Sequence, residues 1–124
     1  MRKISELTTD NAVDVICEIM PYVDDILTEE ELINEIKAKI NLSEGATKFE
    51  FFAVLIEKIS KVAPILLKKK RDSVYGILAA FNEKTVEEIG KQNFIITLRQ
   101  ITTLVKDKQV MELFTSRGEL EDSE

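Results

Sequence analysis

Apolar residues recur along this chain at intervals of three and four, and no stretch alternates strictly between apolar and polar. From Asp10, a residue type that caps helices, Ala12, Val13, Ile16, Ile19 and Met20 share one face, with Asp14 and Glu18 opposite. Pro21 is expected to end or kink that helix. Thr28 followed by three glutamates reads as a capping box, the hydroxyl taking the third amide and Glu31 reaching back. The helix it opens turns Leu32, Ile33, Ile36 and Ile40 inward and Asn34, Glu35, Lys37 and Lys39 outward. Residues 41–47 read as a loop.

A longer helix is predicted from near Lys48, with Phe52, Leu55, Ile59, Val62 and Leu66 as its packing seam. Pro64 lacks a donor and crowds the Ser60 carbonyl, which predicts a kink there. Beyond the basic run Lys68, Lys69, Lys70 and Arg71, Asp72 is expected to cap a short helix carrying Val74, Ile77, Leu78 and Phe81. Thr85 and Glu88 form a second box, opening a helix with Val86 and Ile89 that Gly90 weakens. Phe94, Leu98, Ile101 and Val105 resume the stripe, and Val110, Leu113 and Phe114 make a last apolar face. The pattern predicts an all-α fold: one compact domain over residues 1–116, of six or seven short helices. Residues 117–124, with four acids and one apolar residue, are expected to form a frayed, disordered tail.

Composition agrees with a globular helical chain: 44% hydrophobic and 32% charged residues, two prolines and four glycines in 124 positions. The net charge of −6 argues against a nucleic-acid binder, whose affinity comes largely from lysine and arginine on phosphates. That charge is uneven. Residues 1–46 hold 11 acids and 4 bases, residues 47–71 hold 2 and 7, and residues 72–124 hold 10 and 6. The basic middle either faces the acidic flanks within one fold or docks an acidic patch of another subunit, so self-association is a candidate property.

Chemistry finds little footing. There is no histidine, so the commonest general base and metal ligand are both missing. The lone Cys17, among Val15, Ile16 and Ile19, reads as a small buried hydrophobe. The glycines, at 45, 76, 90 and 118, are too scattered for a phosphate loop. Asp24, Asp25, Glu29, Glu30 and Glu31 lack the spacing of a calcium loop, and the glutamates suit a helix N-terminus. No enzyme, metal or cofactor is expected. No apolar run approaches the roughly 18 residues of a membrane span. Arg2 and Lys3 give way to polar and acidic residues, unlike a signal peptide, so a cytosolic protein without a membrane partner is expected.

The stretch LAAFNEKTVEEIG, from Leu78 to Gly90, could be a helix-turn-helix corner. A DNA-reading helix carries Arg, Asn or Gln toward base edges, whereas the helix after Asn82 offers Glu87, Glu88, Lys91 and Gln92. The corner therefore reads as packing. A small helical DNA-binding or transcriptional regulator built on it stays as the alternative.

Two blocks, KISELTTDNAVDVICEIMPYV at the start and the run from Leu66 to Phe94, especially VYGILAAFNEKTVEEIGKQNF, resemble tail assembly chaperones of long-tailed phages and prophages of Gram-positive bacteria. The ending DKQVMELF before an acidic tail is also similar to that family. The resemblance implies an assembly factor of the bacterial host cytoplasm, absent from the mature virion. It would bind the tape measure protein, keep it soluble, and yield to tail tube (major tail) subunits. A longer, frameshifted form is common in that family.

A protein of this kind would cover the partner's apolar helical stripes with apolar residues spared from its own core. Phe49, Phe52, Tyr75 and Phe114 are the candidates for partner binding, and Lys68, Lys69, Lys70 and Arg71 for electrostatic docking.

Overall fold

The computed structural model describes residues 1–113, apart from the side chain of Lys48. It is all-helical, with no strand among the described residues. A 3-10 turn at Ile4–Glu6 precedes seven α-helices: α1 (Thr9–Leu27), α2 (Glu30–Lys39), α3 (Lys48–Glu57), α4 (Ile59–Lys69), α5 (Arg71–Asn82), α6 (Val86–Lys91) and α7 (Phe94–Lys106). Residues 108–113 are helical again. The expected tail, 117–124, lies outside the described residues, as does Phe114.

The core is organised around α5. Residues 73, 74 and 76–81 of that helix are all buried, so it is covered on nearly every side. α1 lies along it, α6 folds back against it, and α4 touches it while also packing on α2 and α7. α3 completes the bundle against α4 and α7. The approach of α1 to α5 is set by Gly76: a Cβ there would fall 2.5 Å from the Tyr22 ring. The N-terminal segment is tied to the end of α5 by Arg2. Its Nε donates to the Phe81 carbonyl at 3.1 Å and its Nη2 to the Ala80 carbonyl at 2.9 Å, while Nη1 pairs with Glu83 at 3.0 Å. A cation is thus placed on carbonyls that a helix end leaves without partners.

The inward residues of α2 and α5 are those the periodicity predicts: Leu32, Ile36 and Ile40 are buried, as are Val74, Ile77, Leu78 and Phe81. The Thr85–Glu88 box is formed in both directions, each bond at 3.1 Å. Several punctuation marks are read differently by the fold. α1 starts at Thr9, capped by the Thr8 hydroxyl, which accepts from the Asn11 amide, and Asp10 sits inside the first turn. Pro21 does not end α1, and Pro64 does not interrupt α4. Both prolines are exposed, and the carbonyls they free, of Cys17 and Ser60, belong to exposed residues that water can serve.

Because α1 continues to Leu27, Thr28 is reached in a helical conformation rather than the extended one an N-cap needs. Its hydroxyl donates to the Asp24 carbonyl at 2.6 Å and closes α1, so α2 begins at Glu30, with Glu29 at the N-cap position making no side-chain cap. The predicted long helix breaks at Lys58 instead of Pro64. The Lys61 amide closes a tight turn on the Lys58 carbonyl at 2.9 Å, and the Lys58 ammonium reaches the Ile40 carbonyl at 3.4 Å. That turn lets α3 face α7 while α4 faces α2 and α5. Asp72 also caps nothing; Lys70 stands at the N-cap position of α5, and its side chain makes no capping bond.

Candidate partner-binding surface

The apolar periodicity of α1 is real but rotated from its predicted face. Val15, Ile19 and Val23 are buried, Val13 is exposed, and Ile16 and Met20 are half-buried. Cys17 lies two residues from both Val15 and Ile19, about 200° around the helix. It is exposed, not the small core residue expected.

The four predicted partner residues have different surroundings. Phe49, in the first turn of α3, is 74% exposed. Phe52 is half-buried, edge-to-face on Phe51 with ring centroids 5.5 Å apart, and lines a partly open apolar pocket. Tyr75 is half-buried against the core and lies over Gly90, where a Cβ would come within 3.3 Å of its ring. Phe114 lies outside the described residues. The structure adds a patch of which periodicity assigns only Phe94 to the core stripe: Phe94, Ile95 and Ile96, the first turn of α7, are 55%, 51% and 46% exposed. The cause is positional. Asn93 caps α7 through its side chain, accepting from the Ile95 amide at 2.8 Å, and this end of the helix projects before the stripe meets the core at Ile101 and Leu104. Three consecutive apolar residues on one turn cannot all face inward, and FII itself was the available signal.

The apolar pocket, of about 100 Å³, lies among α1, α2, α3, α4, α5 and α7. Every described residue lining it is apolar, from Val23 and Ile36 through Phe51, Leu66 and Leu104 to Met111.

The basic run is engaged within the molecule. The Lys70 ammonium donates to Asp25 at 2.9 Å and pairs with Glu29 at 3.3 Å; Lys69 pairs with Glu35 at 3.4 Å. Arg71 Nε donates to the Leu67 carbonyl at 3.2 Å, while Lys68 is exposed. Asp25 also accepts from the buried Ser73 hydroxyl at 2.5 Å. This bond, with the one from Lys70, holds the Asp25 carboxyl below its ordinary pKa. Asp25 in turn raises that of Lys70. Two basic residues thus bind the acidic first third within the chain, which is the intramolecular outcome that the charge distribution allowed.

The corner after α5 is held by amides. Asn82 donates to the Leu78 carbonyl at 2.7 Å and accepts from Gln100 at 3.3 Å, and Gln92 donates to Gln100 at 2.8 Å and to Thr97 at 2.9 Å. Side chains of the type that read base edges here bond one another. The six-residue α6 presents Glu87, Glu88 and Lys91 to solvent, Lys91 paired to Glu87 at 3.0 Å. Among the described residues no three His, Cys, Asp or Glu side chains converge as metal ligands would, and no helix is long and apolar enough to cross a membrane.

No protein-family model, curated protein or solved structure matches this chain. The two blocks that carry the sequence resemblance, residues 3–23 and 74–94, are neighbours in the fold. They supply the paired α1 and α5, with Tyr22 over Gly76, and the α6 corner.

Proposed function

We propose that this chain is a tail assembly chaperone of a long-tailed phage or prophage, a binding protein without catalysis. It holds the tape measure protein soluble and helps recruit tail tube subunits. The observation that carries the reading is the exposure of large apolar side chains, Phe49 on α3 and Phe94, Ile95 and Ile96 on α7, by a chain of net charge −6. Such residues gain little by folding and much by being covered, while the acidic surface keeps both free and loaded forms dispersed. A long helical partner carrying apolar stripes meets these side chains as anchors in many weak copies, so that tube subunits can displace them. The resemblance over residues 3–23 and 74–94 supports the choice of the tape measure protein as that partner.

The test is co-expression with the tape measure protein encoded in the same genome. The partner should be insoluble alone and soluble and co-eluting with this chain. A partner that stays insoluble with both this chain and a frameshifted longer form overturns the reading.

A further inference from the structure

We propose that residues 41–57, the loop after α2 together with α3, form a lid that opens as one unit and uncovers the side of the apolar pocket it walls. The segment leaves the bundle and returns to it at one place. The Lys58 ammonium, just past the end of α3, donates to the carbonyl of Ile40, just past the end of α2, at 3.4 Å. Ile40 and Ile59, on either side of the segment, are buried, so the base is anchored. Both ends of the lid are built to absorb rotation. Asn41 (φ 54°) and Gly45 (φ 79°) hold the left-handed backbone region, and a Cβ at Gly45 would meet nothing within 4 Å, so that bend runs through open space. At the other end the helical path breaks at the single residue Lys58 (φ −110°, ψ 27°), with α4 starting at the next residue. Short positions at the ends of elements are where hinges lie.

α3 is also the long helix least sunk into the core. Its most buried described side chains, Phe51 and Leu55, are each 9% exposed, whereas every other helix of ten residues or more carries at least one side chain at 3% or less. With Phe52 they make its share of the pocket wall. Most of the remaining wall comes from helices that pack on one another without α3: α1 on α5, α2 on α4, and α4 on both α5 and α7. Lifting α3 leaves those contacts in place, which makes it a local opening unit and not a part of global unfolding. It also lays Phe51, Phe52 and Leu55 bare beside Phe49, which stands one turn from Phe52 and is exposed already. Apolar surface that the closed form covers is thereby held in reserve. The inference stands on this chain alone and does not need the chaperone reading.

Amide hydrogen exchange of the full-length protein, read by mass spectrometry of its peptides, tests the lid. Residues 48–57 should exchange together, about ten-fold or more faster than residues 71–82 of α5. Exchange graded inward from the Phe49 end is fraying, and overturns the proposal. In low urea the α5 rate should climb steeply while the α3 rate rises little, because lifting one helix exposes far less surface than unfolding does. Parallel slopes mean that α3 opens only with the whole molecule, which also overturns it. Gly76→Ala, acting at the α1–α5 contact, should speed exchange in α5 several-fold and leave that of α3 nearly unchanged; equal acceleration counts as a failure. If that variant does not fold, the urea series on the unmodified chain decides. In a Cys17→Ser background, Leu55→Cys should react with a thiol reagent as fast as α3 opens in the same variant. Reaction no faster than α5 exchange shows that the pocket stays covered, and overturns the lid.

Discussion

Asp25 joins residues that are far apart in sequence, and its protonation state is tied to the fold. It accepts from Ser73, 48 positions away, and from Lys70, 45 positions away, and so pins the end of α1 to the start of α5. Both bonds favour the carboxylate, which holds its pKa below the ordinary carboxylate range. The folded state therefore holds this proton less tightly than the unfolded chain does. The stabilisation is complete above the unfolded carboxylate range and fades as pH falls through about 4 and below. Asp25→Asn should lower the melting temperature at neutral pH, and the gap to the unmodified protein should close in acid. A gap independent of pH would show that the carboxylate charge does not matter. Ser73 acts on Asp25 through its bond and Lys70 through both a bond and its charge, so Ser73→Ala and Lys70→Ala should each raise the Asp25 pKa, followed by carboxyl NMR. None of this was legible in the sequence, where Asp25 reads as one of five clustered acids.

Helices announce themselves through their apolar spacing, and here α2 and α5 could be read almost residue by residue. Their ends could not. Pro21 and Pro64 signal breaks only if the freed carbonyl has no other partner, and both carbonyls here belong to exposed residues. The true break at Lys58 has no proline or glycine to mark it and follows from where α3 and α4 must pack. Likewise the meeting of α1 and α5 depends on Gly76, whose importance is invisible without the Tyr22 ring against it. Gly76→Ala supplies a better helix former but drives a methyl into that ring, and overpacking of this kind costs about 1–3 kcal/mol. Gly90→Ala makes the same swap where the Tyr75 ring edge would lie at 3.3 Å, a milder crowding that a small shift relieves. Urea unfolding should therefore show a clear loss for Gly76→Ala and a smaller change for Gly90→Ala. Equal effects would mean that the α1–α5 approach is not the tighter constraint.

At the scale of the whole molecule, core and surface divide the aromatic residues in a way that separates stability from partner capture. Sequence spacing grouped Phe49, Phe52 and Tyr75 together, but only Phe49 stands clear of the bundle. Truncating an exposed side chain removes little that folding had buried, so Phe49→Ala should alter stability by no more than about 0.5 kcal/mol. Phe51, two residues on and about 200° around the same helix, is buried, and Phe51→Ala should cost about 3–5 kcal/mol. Tyr75→Ala should also destabilise, because its ring fills the space over Gly90. If Phe49 and the first turn of α7 are partner anchors, then Phe49→Ala and Ile95→Ala should weaken retention of the tape measure protein while melting stays near that of the unmodified chain. The combined variant should weaken it further, since separated anchors contribute almost independently. Retention that survives the combined variant would move the binding surface elsewhere on the bundle. Retention lost only where melting also falls would show that the fold, and not these exposed side chains, is what the partner requires.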